Sequence, residues 1–309
     1  MTALRVRLAR PMLATAVAAG LLAGGLALTH ETGTATAAIA TSDGHDGHEG
    51  GDSAESGRGT EPVTAAASKK RTNAVHPDRV MTWNLFAPGS AGPEDYAQEI
   101  ASDRPQVLGV QEGCRAAVQK TVEILRSKYG LNYQVAYGTA LNDRVNCGLF
   151  GGNAYGQAIL SASPITDKGN QLYPNGGSEA RAYMWVTTLV DGKPVRIYNT
   201  HLAEANQGPV RAEQVKHLLG AIGNIQRVIV LGDFNAQPQN SELAPLWDAG
   251  LRDADPNCGK APKAGCQASA SQHRKKFDYI FLRGIKAPGA VVHDSEYSDH
   301  DVVYTTLNL

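Results

Sequence analysis

The sequence predicts a layered α/β domain over residues 79–309, with sheets covered by helices. Three observations carry this reading. Strand-like and helix-like segments alternate through the first part of the region, as β-α-β connections require. A hairpin then interrupts the alternation and brings antiparallel pairing into the sheets. The region's length, about 230 residues, suffices for one large core.

Each element follows from local pattern. RVMTWNL (79–85) alternates as a buried strand does, and PEDYAQEIAS (93–102) carries apolar residues at helical spacing. PQVLGVQE (105–112) is an apolar strand. Residues 115–130 form an amphipathic helix ended by Gly130, since glycine tolerates the left-handed cap. NYQVAYG (132–138) and AYGQAILS (154–161) read as strands. RAYMWVTTLV (181–190) and KPVRIYNTHL (193–202) flank Asp191-Gly192, a two-residue turn signal, and so form the hairpin. PVRAEQVKHLLGAIG (209–223) is a helix opened by Pro209, RVIVLGDFN (227–235) a buried strand, and SELAPLWDAG (241–250) a short helix. KKFDYIFLRG (275–284) and HDVVYTTLNL (300–309) are closing strands.

Ahead of the domain, Arg5, Arg7 and Arg10 precede an apolar run from Met12 to Leu28. Small-residue sites follow at Ala35-Thr36-Ala37 and Ala38-Ile39-Ala40, so residues 1–40 carry the pattern of a signal peptide. The run is short and rich in Ala and Gly, which favours cleavage over retention as a membrane anchor. The expectation is a secreted monomer with no stable anchor after processing. Residues 41–78 are rich in Gly, Ser, Asp, Glu and Thr and read as a flexible linker, with His45 and His48 in its solvated stretch. In an exported chain Cys114, Cys147, Cys258 and Cys266 suggest two disulfides, with three pairings open. The loop between Cys258 and Cys266, which holds Gly259, Pro262 and Gly265, favours that local pair and leaves Cys114 to Cys147. Hydrophobic residues make up 42% of the chain and charged residues 19%, an ordinary globular balance. A net charge of −1 gives no support for tight, non-specific binding to nucleic acid, which needs a basic face. A local basic groove is still compatible with it.

The polar residues at strand ends carry the chemistry. Successive apolar strands end at Asn84, at Glu112, at Asn199 and His201, and at Asp233 and Asn235. Asp278 begins another strand, and Ser298, Asp299 and His300 precede the last. Strand ends in α/β sheets are where loops and ligands gather. Their convergence would put four carboxylates, two histidines and three asparagines in one pocket. Such hard oxygens suit Mg²⁺ better than zinc.

TWN (82–84), VQE (110–112), NTHL (199–202), GDFN (232–235), FDYI (277–280) and SDH (298–300) occur in the order and approximate spacing of the endonuclease/exonuclease/phosphatase family, which the chain resembles across 79–309. The resemblance implies a four-layer α/β sandwich, two packed mixed β-sheets flanked by helices. It also implies a metal-dependent hydrolase with Mg²⁺ as cofactor, or Mn²⁺ or Ca²⁺ in its place. On this resemblance Glu112 binds the metal, with Asn84 and Asp299 completing or supporting the site. Asp233 orients or deprotonates the attacking water, and Asn235 holds a phosphate oxygen. His300, polarised by Asp278, contacts the phosphate, and His201 protonates the leaving oxygen. Arg181 matches, more loosely, a phosphate-binding position of the family. A histidine at 201 alongside His300 resembles the deoxyribonuclease and sphingomyelinase branches.

The implied activity is hydrolysis of a phosphodiester substrate, with nucleic acid favoured over a phospholipid head group. Sphingomyelin or inositol phosphates are the alternative, and a catalytically silent binding module is the remote one. The basic stretch His273, Arg274, Lys275 and Lys276, directly before Asp278, would steer a polyanion toward the site. Asn199 reads as structural, and Trp83, Trp185 and Trp247 as core. Arg211 and Gln214 resemble a structural feature beside the Asp233 strand, and 143–153 is where a membrane-docking loop would sit.

Overall fold

Alternation along single strands builds the layers. Val228, Ile229, Val230 and Leu231 are all fully buried. Ile229 and Leu231 belong to one apolar cluster, and Val228 and Val230 to another. A strand buried on both faces has period two and must be covered on both sides. Each such side chain contributes roughly 1.5–3 kcal/mol of burial free energy.

A computed structural model describes residues 74–86, 89–148, 154–204 and 206–309. The expected signal peptide, residues 41–73 of the linker, and 149–153 of the segment considered for membrane docking lie outside the described residues. The first half of the domain runs β1 (His76–Asn84), α1 (Pro93–Asp103), β2 (Pro105–Cys114), α2 (Arg115–Tyr129), β3 (Gln134–Asn142), the single turn α3 (Arg144–Cys147) and β4 (Ala154–Ser161). The second half runs β5 (Asp167–Leu172), β6 (Ala182–Val190), β7 (Lys193–His201), α4 (Gly208–Ile222), β8 (Val228–Asp233), α5 (Ala244–Asp248), β9 (Arg252–Asp253), β10 (Asp278–Arg283), β11 (Ala290–His293) and β12 (Val302–Thr306).

These strands form two six-stranded mixed sheets, ordered β11-β12-β1-β2-β4-β3 and β5-β6-β7-β8-β10-β9. Each sheet contains one parallel pair made by a helical crossover, β1 with β2 through α1 and β7 with β8 through α4. One core, including Val80, Val107, Ile159, Met184, Ile197, Leu231 and Ile280, draws on both sheets. A second joins Met81, Leu108 and Val110 of the first sheet to Tyr96, Ile100 and Leu125 of α1 and α2. A third joins Val228, Val230 and Phe281 to Val215, Leu218 and Trp247 of α4 and α5. The result is helices, sheet, sheet, helices: the four-layer sandwich expected from the sequence.

Polar residues also tie the sheets together. Asn199 Nδ2 donates to the carbonyls of Val110 and Ala158 at 2.8 and 2.9 Å, and its Oδ1 accepts from Gln111 Nε2 at 2.7 Å. Both side chains are fully buried, so these bonds tie the two sheets together close to the strand ends. The Asp191-Gly192 turn has φ of 48° and 71°, the two positive values that a tight hairpin of this hand needs. Disulfides join Cys114 to Cys147 and Cys258 to Cys266.

The structure departs from the sequence reading in its edges. β1 begins at His76, inside the expected linker, because the amide of His76 bonds the Arg104 carbonyl and hydropathy does not register such pairing. β5, DKGNQL, is a polar and mostly exposed edge strand whose pairing comes from β6 alone. KKFDYIFLRG is a strand only from Asp278 onward. No helix among the described residues is long and apolar enough to cross a membrane.

Candidate active site

Strand register brings the polar residues together. His201 pairs with Asp233 across the parallel β7 and β8, and Asp233 pairs with Asp278 across the antiparallel β8 and β10. Directly paired residues point to the same face, so these three side chains form a row at one end of the second sheet. In the first sheet Asn84 ends β1 opposite Gln111 on β2. Gly232, one residue before Asp233, has φ of +148°, and any Cβ there would lie 2.1 Å from the Thr200 carbonyl oxygen. Glycine is therefore required for β7 and β8 to approach closely just before their functional ends.

Glu112 reaches the site through an irregularity. The pairing of β2 with β4 shifts between Val110 and Gly113, and Glu112 sits there at φ +55°. Asn235 has φ +48°. A non-glycine residue held in this region costs about 1–3 kcal/mol, and such outliers cluster where a side chain must be re-aimed.

The contacts form one connected network. Asn84 Nδ2 donates to Glu112 Oε1 at 3.0 Å and to Asp233 Oδ2 at 3.1 Å. The Asn235 amide N–H donates to Asp233 Oδ1 at 2.8 Å, and its side chain lies 3.1 Å from His201 Nε2. His300 Nδ1 lies 2.8 Å from Asp278 Oδ2 and its Nε2 lies 3.7 Å from Asp233 Oδ2. His201 Nε2 lies 3.4 Å from the same Asp233 oxygen and 3.8 Å from Glu112. Arg181 Nη1 lies 2.7 Å from His201 Nδ1 and 3.1 Å from its Nε2. The Ser298 hydroxyl donates to the Asn84 carbonyl at 2.7 Å, which brings the turn carrying Asp299 and His300 to the end of β1.

Electrostatics divide the site. Burial opposes charge on His300, but Asp278 and Asp233 outweigh it and raise its pKa to about 11. Burial, with the charges of Arg181 and His300, holds His201 well below the usual histidine value. Burial pushes Asp233 up to about 7, against the opposing pull of His300.

Two oxygen sets could attract a cation. Ligand atoms of Asp233, Asp278 and His300 lie within 4.8 Å of one another. That trio is already joined through the bond between Asp278 and His300, where a proton occupies the space a metal would need. Asn84, Glu112 and Asp299 are the second set, drawn together by the bond from Ser298 to the end of β1. Among the described residues, Asp278 Oδ1 in the first set and Asp299 Oδ1 in the second are both buried without a hydrogen-bond partner, as a carboxylate oxygen is when its partner is a cation. Glu112 and Asp299 offer hard carboxylate oxygens, whereas Asn84 turns its Oδ1 to the Phe86 amide and its NH₂ to Glu112 and Asp233, and so supports the site.

Three residues of this neighbourhood escaped the sequence reading. Tyr155 lies beside Glu112, and burial together with that carboxylate raises its phenol. In AYGQAILS it looks like an ordinary strand aromatic. Glu179 binds Arg181 at 2.9 Å, and its only signal was its position two residues earlier. Ser269, fully buried in a featureless stretch, gives its hydroxyl to Asp278 Oδ2 at 2.8 Å and accepts the Asp278 amide at 2.8 Å. Arg211 and Gln214 act on the loop after His201: Arg211 donates to the Ala203 carbonyl and Gln214 Oε1 accepts the Ala203 amide.

The basic stretch is divided. Arg274 and Lys275 are exposed, but Lys276 is buried 3.0 Å from Asp253, itself buried. Lys276 balances a core carboxylate and adds nothing to a surface patch, which corrects its expected part in steering. Trp83 and Trp247 are core residues, while Trp185 is only partly buried beside Tyr183 and Tyr198.

Comparison with known proteins gives the following. The family model described as Endonuclease/Exonuclease/phosphatase family matches residues 81–300. Among solved structures, D. rerio TDP2 complexed with single strand DNA product is similar at 20% identity and a TM-score of 0.59, covering 75% of this chain and 98% of that one. An endonuclease/exonuclease/phosphatase family protein from Leptotrichia buccalis has 17% identity and a TM-score of 0.59, covering 75% and 99%. The endonuclease/exonuclease/phosphatase from Bacteroides vulgatus has 17% identity and a TM-score of 0.58, covering 75% and 98%. These likenesses concern the fold. No curated protein sequence matches the chain.

Proposed function

The chain belongs to the endonuclease/exonuclease/phosphatase family, and from that premise we propose that it is an exported, divalent-metal-dependent phosphodiesterase acting on nucleic acid. Family membership supports a hydrolase of phosphoester bonds. The observation that carries the reading is the single network joining Asn84, Glu112, His201, Asp233, Asp278 and His300 at the strand ends.

Glu112 and Asp299, supported by Asn84, would hold Mg²⁺ or Mn²⁺, which when bound supplies positive charge to a phosphate oxygen. Asp233 takes the proton of the attacking water, and its raised pKa of about 7 suits a base working near neutral pH. Asn235 holds a phosphate oxygen, and Arg181, buried and paired with Glu179 and His201, adds positive charge from behind. His300, kept as imidazolium by Asp278 and Asp233, lies against the charge that develops on the phosphate. His201 differs from the simplest general acid, because its surroundings favour the neutral ring. A neutral ring that carries its proton on Nε2 would hydrogen-bond the leaving oxygen from there.

Export is supported by the N-terminal pattern and by the two disulfides, which persist in oxidising compartments. The test of function is a panel of single-stranded and duplex DNA, RNA, sphingomyelin and phosphoinositides, each with Mg²⁺, Mn²⁺ or Ca²⁺. Nucleic-acid cleavage that is lost on dialysis against EDTA and restored by Mg²⁺ is expected. Full activity after EDTA dialysis would refute metal dependence, and cleavage of sphingomyelin alone would refute the substrate.

A further inference from the structure

A cleft of about 310 Å³ opens beside Asn235, outside the network described above. Three loops form it: the segment after β7 gives Asn206, the turn after β8 gives Gln237 and Asn240, and the loop before β10 gives His273, Lys275 and Phe277. Because Asn235 lines both, whatever fills the cleft is contiguous with a group held at Asn235.

Its chemistry is selective. Among the described residues that line it, Phe277 alone presents a hydrocarbon side chain, too little surface for an acyl tail. Arg211 also lines it but spends its guanidinium on Glu242 and the Ala203 carbonyl. Among the described residues that line the cleft, the free lysine or arginine is therefore Lys275, exposed, with its ammonium 5.6 Å from the centre of the Phe277 ring. Asn240 spends its Oδ1 on the Gln237 amide at 2.6 Å and keeps its NH₂ to donate. The loop that presents His273 and Lys275 is held shut by paired bonds, from the Ala270 amide to the Lys275 carbonyl and from the Lys275 amide to the Ala270 carbonyl. Its groups are thus positioned before any ligand arrives. A cation, amide donors and one aromatic ring in a small cleft match a phosphate joined to a sugar and base.

We infer that this cleft is a nucleotide subsite. It holds the unit next to the scissile phosphate, with that unit's own phosphate against Lys275 and His273 and its base or sugar against Phe277 and the amides of Gln237, Asn240 and Asn206. The inference rests on the nucleic-acid reading and deepens it: the enzyme reads a chain of at least two phosphates and does not need an isolated diester.

The experiment compares kcat/KM on hexathymidylate with kcat/KM on bis-para-nitrophenyl phosphate, which has no neighbouring nucleotide. The proteins are the wild type, Lys275→Gln and Arg274→Gln. Arg274 is exposed on the same loop but does not line the cleft. Losing one charged contact lowers the oligonucleotide-to-diester ratio about tenfold for Lys275→Gln, mostly through KM. It also reduces the salt slope of oligonucleotide binding by about 0.7. Arg274→Gln changes the ratio less than about twofold, as an exposed charge away from the cleft should. Equal effects of the two variants, or none from Lys275→Gln, overturn the subsite while leaving nuclease activity standing. A wild type that cleaves the nitrophenyl diester but no oligonucleotide overturns the nucleic-acid reading and the subsite with it.

Discussion

His201 and His300 face the same oxygen. Their Nε2 atoms lie 3.4 and 3.7 Å from Asp233 Oδ2. The difference lies behind them, where the Nδ1 of His201 meets the guanidinium of Arg181 at 2.7 Å and the Nδ1 of His300 meets the carboxylate of Asp278 at 2.8 Å. Both rings are buried, so desolvation disfavours charge on each. At His300 the carboxylates reverse that effect, whereas at His201 the guanidinium adds to it. One side chain thus appears twice around one carboxylate, once as a cation and once as a neutral ring, and the partner at Nδ1 decides which.

The largest expected effect breaks the cationic half. Asp278→Asn and His300→Ala should each lower kcat/KM by about 10³-fold or more, on a natural diester and a nitrophenyl ester alike, because phosphate charge develops in both reactions. A loss confined to the natural diester would assign His300 to the leaving group instead. Next comes the neutral half. His201→Ala should cost about 10²-fold on a diester with an alkoxide leaving group and less than about tenfold on a nitrophenyl ester, whose leaving group needs no proton. Equal losses on both substrates would make His201 a phosphate-binding or structural residue.

The third test addresses the cause of the difference. Arg181→Met removes the like charge beside His201, so the ring's titration, followed by NMR on metal-free protein, should move up. No movement would leave burial and the charge of His300 as the causes. The smallest effect is on stability in the presence of chelator. A histidine with a lowered folded pKa leaves the unfolded chain to take up the proton, so stability drains away as pH falls below 6.5. His201→Ala should therefore lose less stability between pH 7 and 5 than the wild type, by at most about 1.4 kcal/mol per pH unit. His300 has the opposite sign: its folded pKa is raised, so its contribution is complete below 6.5 and declines as pH rises toward about 11. His300→Ala should flatten the alkaline side of the denaturation profile. Identical profiles for the two variants would remove the contrast between the histidines.

Much of this was legible before any coordinates. The hairpin around Asp191-Gly192, the helix stop at Gly130 and the buried strand ending at Asp233 depend on neighbours in the chain, and local pattern records such neighbours. The strand-end residues Asn84, Glu112, His201, Asp233, Asp278 and His300 stood out because polar groups there interrupt apolar runs. β5 did not stand out, because an exposed polar edge has no hydropathy signature. Ser269 and Tyr155 were missed for a related reason: their relevance lies in contacts with Asp278 and Glu112 that no local periodicity records.

By itself the sequence determined the layered α/β architecture, the turn chemistry and the kinds of group available to a site, because side-chain period and backbone preference are local properties. Only the tertiary structure decided which charge faces which ring, that Lys276 is buried against Asp253 while Lys275 faces the cleft, and that Glu112 is turned into the site by a shifted strand. Electrostatic energy depends on distance and on exclusion of water. Both are set by strands that meet in space after long separation in the chain, as β1 and β8 do where Asn84 bonds Asp233.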